Sequence, residues 1–531
     1  MKRGREDGHL SKEEYEWHHE QSSSTGSRLA DNLATPGTIK ERRIITISRK
    51  DKKENFTKHL FTLNQSFHNW IKEQLDADIY ADLTEGFQDY VDYVSALEDR
   101  YLRVYGEVLS FGTGDCGQLA HGTEKDEDLM VRYPRIVYSL RDKKVCGIAC
   151  GGLHNAVFTE QGLVYTWGCA DDGSLGRSGD ENLPALVESI ANETIIAIAC
   201  GDGQTIAVST KGEVWGWGSY KDKEGKKWFN PSPGAKDAVK DIKKQQNDPI
   251  KIESLKNIVD VACGASFNLV KSSDGKVYSW GIGESGELGR YTPPLKKESV
   301  NGEEPQYDLP NILKYHITPG PMYYDECPSI TDLDNHDSRL KVVSDVKVIG
   351  CGSYHSMVVV MGDLVYSCGL NNYGQLGLGD TNLRYYFNEV ELLSSKRIIS
   401  LQGGMHHSLV LSAFGDLYAF GRGDSGQLGS NDVSMKAAGD FSDKPVKPTV
   451  PAGIKFVGIG CGGNHNLALT EKGEVYTWGY GDMSALGHGK DDDEPLPRKI
   501  NFEKAKIKNI RVTQVAGGGQ HSVIIGEVKT I

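Results

Sequence analysis

Seven times along this 531-residue chain an alternating apolar strand ends on a glycine that opens a polar turn, at Gly112, Gly168, Gly218, Gly281, Gly369, Gly421 and Gly479. The spacing is about 50 to 60 residues except where insertions intervene, a period that belongs to propellers and comparable repeat arrays. Each unit has the same order. An apolar run ending in small residues (IACGGLHNAVFT, IGCGSYHSMVVV, IGCGGNHNLALT) leads through a turn such as EQG or EKG to an alternating strand (LVYTWG, LVYSCG, EVYTWG), then to a Gly-rich turn with Gln-Leu-Gly or a variant. Period-two alternation with glycine turns and four strand-sized segments per unit describes one small antiparallel sheet per repeat. Seven such sheets close radially into an all-β, seven-bladed β-propeller, which leaves only short strand edges.

The ends of the repeat region predict how the ring closes. It begins with EVLSFG, the second half of a unit, and finishes with VTQVAGGGQHSVII, the first half of one, so strands from both termini complete a single blade. The propeller is therefore expected over 104–531. One copy of the turn, Gly112-Thr-Gly-Asp-Cys-Gly117, also fits the G-x-G-x-x-G fingerprint of dinucleotide-binding proteins. That fingerprint should occur once and open a helix. Here it recurs at Gly281 and Gly421, with looser copies at Gly168 and Gly369, and each is followed by a polar stretch containing proline. Its glycines are expected to shape blade turns, supplying positive φ and close backbone approach, and an oxidoreductase reading falls away.

A net charge of −13 argues against a chain held on nucleic acid by its overall field, though a local basic segment could still do so. Of ten cysteines, Cys150, Cys200, Cys263, Cys351 and Cys461 share one context, before a glycine at the end of an apolar run. Equivalent sites in successive units are not natural disulfide partners, so structural thiols in a reducing compartment are expected. No apolar run approaches the ~20 residues that span a bilayer, and MKRGREDGHL holds no secretory apolar segment. His154, His355, His406 and His465 recur one per unit. A ring of histidines suits repeat-stabilising hydrogen bonds better than a metal or acid-base site, and no metal or other cofactor is expected. Two departures from repeat length, near 219–250 (lysine-rich) and 290–340, read as solvated insertions, with binding loops as the competing reading.

The repeats resemble the regulator of chromosome condensation family, seven-bladed guanine-nucleotide exchange factors for the small GTPase Ran. The likeness is specific in CGGLHNAVFTEQGLVYTWGCADDGSLGR (150–177), CGDGQTIAVSTKGEVWGWGSYKDKEG (200–225), GGMHHS (403–408) and GGGQHS (517–522). It implies an exchange factor, without covalent chemistry, that binds nucleotide-free Ran more tightly than the loaded GTPase. By motif, the Ran-facing residues it implies are Asp115, His154, Asp171, Asp202, Lys221, His406 and His521. Lys221 stands where the family usually has arginine, and Gln204 where it has the repeat histidine. The family also uses a small projecting hairpin as a wedge against the GTPase, which places the expected wedge at Ala185, Leu186, Val187, Glu188, Ser189, Ile190, Ala191, Asn192 and Glu193. The competing reading is a propeller scaffold that only recruits chromatin or transport partners.

Residues 1–54 are polar, with Lys2-Arg3 near the start and KERRIITISRKDKK at 40–53, and are expected to be disordered. Such basic clusters suit the acidic grooves of importin-α, through Lys2, Arg3, Arg42 and Arg43, and could touch DNA phosphates or histones. From 55 to 103, LFTLNQSFHNWIKEQLD and DLTEGFQDYVDYVSALEDRYL carry apolar residues at helical spacing, which predicts two short amphipathic helices. This segment resembles the nuclear-basket nucleoporins that bind importin-α. The resemblance implies importin-α and pore-basket partners and a place in the nucleus, on chromatin or at the pore.

Overall fold

The computed structural model describes residues 105–122, 125–232, 238–298, 304–325, 340–431 and 439–528. The expected tail and helical segment, with Lys2, Arg3, Arg42 and Arg43, lie outside the described residues.

The repeat produces seven four-stranded antiparallel sheets around one axis, as expected. Blade 2 shows the pattern: Val145–Cys150 is innermost, followed outward by His154–Thr159, Val164–Gly168 and the short Ala185–Leu186. Blades 3 to 7 begin on the inner strands Ile195–Cys200, Ile258–Cys263, Val346–Gly352, Ile398–Gly403 and Phe456–Cys461. Second strands are wholly buried on both faces, as in Phe267–Ser272 and His407–Ser412, because each is covered by the sheets on either side. The apolar clusters accordingly sit between blades. One joins Phe267, Leu269 and Val277 of blade 4 to Val346, Val358 and Cys368 of blade 5.

Blade 1 is built from both ends of the propeller. Its order is Met130–Ile136, Glu107–Thr113, His521–Val528, Ile510–Gly517, and the two halves pair from Glu107↔Gly526 to Gly112↔His521. The third-strand glycines have φ between 99° and 127°. At Gly168 an added Cβ would meet the Leu153 carbonyl oxygen at 2.4 Å. The repeated glycine is thus required by close approach of the second and third strands, and GTGDCG is a blade turn.

Two networks of bonds lock the blades together. At the end of each inner strand one amide donates to a carbonyl of the next blade: Gly152 to Gly201, Asp202 to Ala265, Ala265 to Ser353, Ser353 to Gly404, Met405 to Gly463, Gly463 to Gly518 and Gly519 to Gly152, at 2.8–3.2 Å. The second uses the repeat histidines and runs from blade 5 round to blade 4, where Phe267 stands at the repeat position. His154 Nε2 meets Thr205 Oγ1 (2.8 Å), His355 meets Ser408 (2.8 Å), His407 meets Asn466 Oδ1 (3.0 Å), His465 meets Ser522 (2.8 Å) and His521 meets Asn155 Oδ1 (2.7 Å). The hydroxyls of Thr205, Ser408 and Ser522 already donate to the carbonyls of Ser174, Gln375 and Ala485. They must therefore accept from the imidazole, which fixes Nε2 as the protonated nitrogen. Burial holds these histidines at about 3 to 4, so they are neutral near pH 7. In blade 3 Gln204 takes the histidine's place and its Nε2 reaches the carbonyls of Gly264 (3.1 Å) and Phe267 (3.2 Å).

Four expectations change. The repeat histidine of blade 6 is His407; His406 precedes it and sits outside the network. His154 and His521 are buried to 1% and 0% exposure and are occupied in the histidine network, so neither can form part of a contact surface. Residues 185–193 are no projecting hairpin. Ala185–Leu186 is the outermost strand of blade 2, paired with Thr166 and Tyr165, and Glu188–Ile190 is a 3-10 turn whose flanking Val187 and whose Ile190 are buried. The same Val-x-x-Leu packing recurs at Val137/Leu140 and Val390/Leu393, so the motif marks a blade connection. The two insertions are not solvated loops either. Tyr220, Trp228 and Phe229 from the first share one buried apolar cluster with Leu295, Ile312 and Ile317 from the second. The described cysteines are free thiols, several of them at the ends of inner strands.

Candidate functional site

Strand direction alternates outward through every blade, so the turns joining first to second and third to fourth strands all emerge at one end of the ring. Asp115 and Asp171 come from third-to-fourth turns, Asp202 and His406 from first-to-second turns, and Lys221 from an added hairpin. The fold brings these five to one face. The 185–193 segment leads into the blade connections at the other end, which separates it from them.

The hairpin is Tyr220–Lys221 paired with Lys227–Trp228, inserted after the third strand of blade 3 where other blades carry Gln-Leu-Gly or a variant of it. Its base is fixed by Tyr220, whose hydroxyl accepts from Asn268 Nδ2 (3.0 Å) and Trp280 Nε1 (2.8 Å). In blade 2 the corresponding Asn155 and Trp167 both donate to the Gln118 carbonyl. Tyr220 has therefore taken over a repeat acceptor. Its tip, Lys223 to Lys226, is exposed. Asp222 shapes the turn by accepting from the amides of Glu224 (3.0 Å) and Lys226 (2.9 Å) and from Trp228 Nε1 (3.0 Å).

Beside the hairpin the acidic pair of blade 2 divides its work. Asp171 is exposed, whereas Asp172 is 7% exposed and clasped by Lys221 Nζ (2.6 Å) and Lys227 Nζ (2.8 Å). Burial alone would raise the Asp172 carboxyl, but the two ammonium groups outweigh it and hold it below the ordinary range. Asp202 is open to solvent yet walled by protein near the axis, and this desolvation raises it to about 6 against the pull of Lys221. Asp172, Asp222 and Lys227 were missed in the sequence, where the second aspartate of ADD and the alternating lysines of KDKEGKK were the available signals.

The far side of the same face is aromatic. His406 lies between Tyr354 (6.0 Å, stacked) and Tyr373 (5.1 Å), Arg422 stands over Tyr373 at 5.4 Å, and Phe441 and Met405 are exposed beside them. Burial, with Arg422 nearby, lowers the imidazole of His406. The face thus joins a charged half around the hairpin to an apolar, aromatic half, a combination suited to a protein partner.

One buried acid beneath this face departs from the repeat. Gln118, Gln375 and Gln427 each accept from the amide two residues before them, and Glu287 does so in blade 4. Burial raises its carboxyl to about 7. An acid whose folded value lies above its unfolded one loses stability for the fold as pH rises between the two. Glu287→Gln should therefore stabilise the propeller by about 3 kcal/mol at pH 8, with the gain shrinking below pH 7. Urea unfolding of both proteins at several pH values checks this; a pH-independent difference would contradict it.

The fold is that of a seven-bladed repeat propeller. The chain belongs to the RCC1-like domain family, whose profile matches residues 107–524. It is similar to the human regulator of chromosome condensation, 29% identical over 432 residues, covering 79% of this chain and 90% of that one. The Saccharomyces cerevisiae guanine nucleotide exchange factor SRM1 is 27% identical over 479 residues, covering 81% and 90%. The crystal structure of Prp20p from the same yeast, described with its binding to Gsp1p and histones, superposes with a TM-score of 0.68 at 26% identity, covering 82% and 95%. A structure of Kap60 bound to yeast RCC1 (Prp20) gives 0.66 at 26%, covering 82% and 92%.

Proposed function

We propose that this chain is a guanine-nucleotide exchange factor for the small GTPase Ran, acting through the face that carries Asp115, Asp171, Asp202, Lys221 and His406. The observation that carries the reading is the hairpin Tyr220–Trp228, anchored at its base in the repeat core and projecting a charged tip from that face. We assign the wedge to this hairpin in place of 185–193. Its lysines would compete with the groups that hold the nucleotide phosphates, and the surrounding carboxylates with the phosphates themselves, while the aromatic half supplies apolar contact area. No covalent bond changes. Tighter binding of the nucleotide-free GTPase weakens its hold on GDP by the same factor, and the exchange direction follows the nucleotide supplied in excess.

The similarity to exchange factors supports this reading over a recruiting scaffold. Nuclear localisation follows from it, with Lys2, Arg3, Arg42 and Arg43 as importin-α contacts and the 55–103 segment as a site for a nuclear-basket nucleoporin. Histones or DNA are further partners for the basic tail. A pull-down with residues 1–105 that recovers neither importin-α nor a nucleoporin would remove that part alone.

The test is release of labelled GDP from Ran under excess GTP, with this chain present in catalytic amounts. Acceleration is expected. Asp172→Ala, which frees the two lysines at the hairpin base, should lower kcat/KM about tenfold or more, the effect of losing a buried charge pair at an interface. No acceleration by the unmodified chain would overturn the proposal.

A further inference from the structure

The hairpin does not stand alone on the face. The insertion of blade 4 folds back over it, with Tyr307 at the centre of the contact. Tyr307 Oη donates to Glu224 Oε2 at 2.9 Å and lies 3.2 Å from Asp222 Oδ2, the carboxylate that shapes the turn. Its ring lies 5.0 Å from that of Trp228, and Lys226 Nζ is held over both rings, at 3.6 Å from the Tyr307 centroid and 4.3 Å from that of Trp228. From the same insertion Lys296 Nζ pairs with Glu224 Oε1 at 2.5 Å. Beneath these contacts the two insertions share their apolar cluster, and Asn230 Nδ2 reaches Thr318 Oγ1 at 3.1 Å. Three of the four exposed tip positions are thereby tethered: Glu224 and Lys226 by Tyr307 and Lys296, and Lys223 through its amide to Glu284 Oε2 (2.9 Å).

We propose that the blade 4 insertion is a brace that pre-orders the hairpin for its partner, with Tyr307 as the positioning residue. This rests on the exchange reading above. A four-residue tip with two lysines and a glutamate would otherwise lose rotamer and backbone freedom at the step in which it displaces the nucleotide from the docked GTPase. The brace removes that cost before Ran arrives. Tyr307 touches no substrate; it acts through Asp222, Glu224 and Lys226. Because the rest of the face still docks the GTPase, loosening the tip should lower kcat while leaving KM nearly unchanged.

The test uses the full chain, Tyr307→Ala and Tyr307→Phe. Amide hydrogen exchange at 222–227 should speed about tenfold in Tyr307→Ala, with blade-strand protection and melting temperature unchanged. The kcat for GDP release should fall about tenfold. Tyr307→Phe keeps the ring over Lys226 and loses only the hydroxyl, so it should restore most of both. Unchanged amide exchange in Tyr307→Ala would overturn the brace. Faster amide exchange with an unchanged kcat would overturn its role in positioning. A wild-type chain inactive on Ran would remove the positioning role together with the exchange reading, and the hydrogen-exchange result would still decide whether Tyr307 holds the hairpin.

Discussion

Truncation after Asn509 should abolish cooperative folding of the propeller. The deletion removes Ile510–Gly517 and His521–Val528, which supply half of blade 1. Val512, Val523, Ile524 and Ile525 are buried to 2% exposure or less, and side chains of this size contribute about 1.5–3 kcal/mol each on burial. Their loss, about 10 kcal/mol, is comparable to the whole stability of a typical domain. The cut also breaks both inter-blade networks, since Gly519 and His521 carry the links between blades 1 and 2. Scanning calorimetry should show no sharp transition for the truncated chain. A sharp transition within a few degrees of the full-length value would mean that pairing of the two termini does not close the ring.

The second large effect is acid lability. Five buried histidines titrate at about 3 to 4 in the fold and at about 6.5 when unfolded. A histidine whose folded value is lowered takes up its proton on unfolding, so its contribution is fully present above pH 6.5 and is lost as pH falls toward the folded value. Each costs about 1.4 kcal/mol per pH unit in that window. Together they amount to on the order of 10 kcal/mol between pH 6.5 and 4.5, enough to unfold the ring. Gln204 shows that the same position can be bridged without a titrating group. His465→Gln should therefore reduce the pH slope of unfolding free energy by one proton. An unchanged slope would show that the buried histidines do not govern acid unfolding.

The repeat was legible because its signals are local. Period-two alternation and a glycine at each third-strand end can be read without knowing which blades touch, and the half-units at the two ends named the closing blade. The surface was harder to read. His406 and His407 are adjacent in GGMHHS, and only the inter-blade bond to Asn466 shows which is the repeat histidine. His154 and His521 carry a motif that marks them, but the motif is explained by packing between blades. The wedge was misplaced because the family resemblance located it only by its place in the repeat order, and in Pro184 to Glu193 the side chains of Val187 and Ile190 are buried. The pairing of the two insertions joins Trp228 to Tyr307 across 79 positions of chain, and nothing in either stretch alone announces its partner.

Differential affinity is tested most directly by comparing the affinity of the full chain for nucleotide-free Ran with that for GDP-loaded Ran. Much tighter binding to the nucleotide-free form is expected, with dissociation of that complex when GTP is added. Equal affinity for both forms would contradict the exchange reading, because a partner that binds both states equally cannot shift nucleotide from the GTPase.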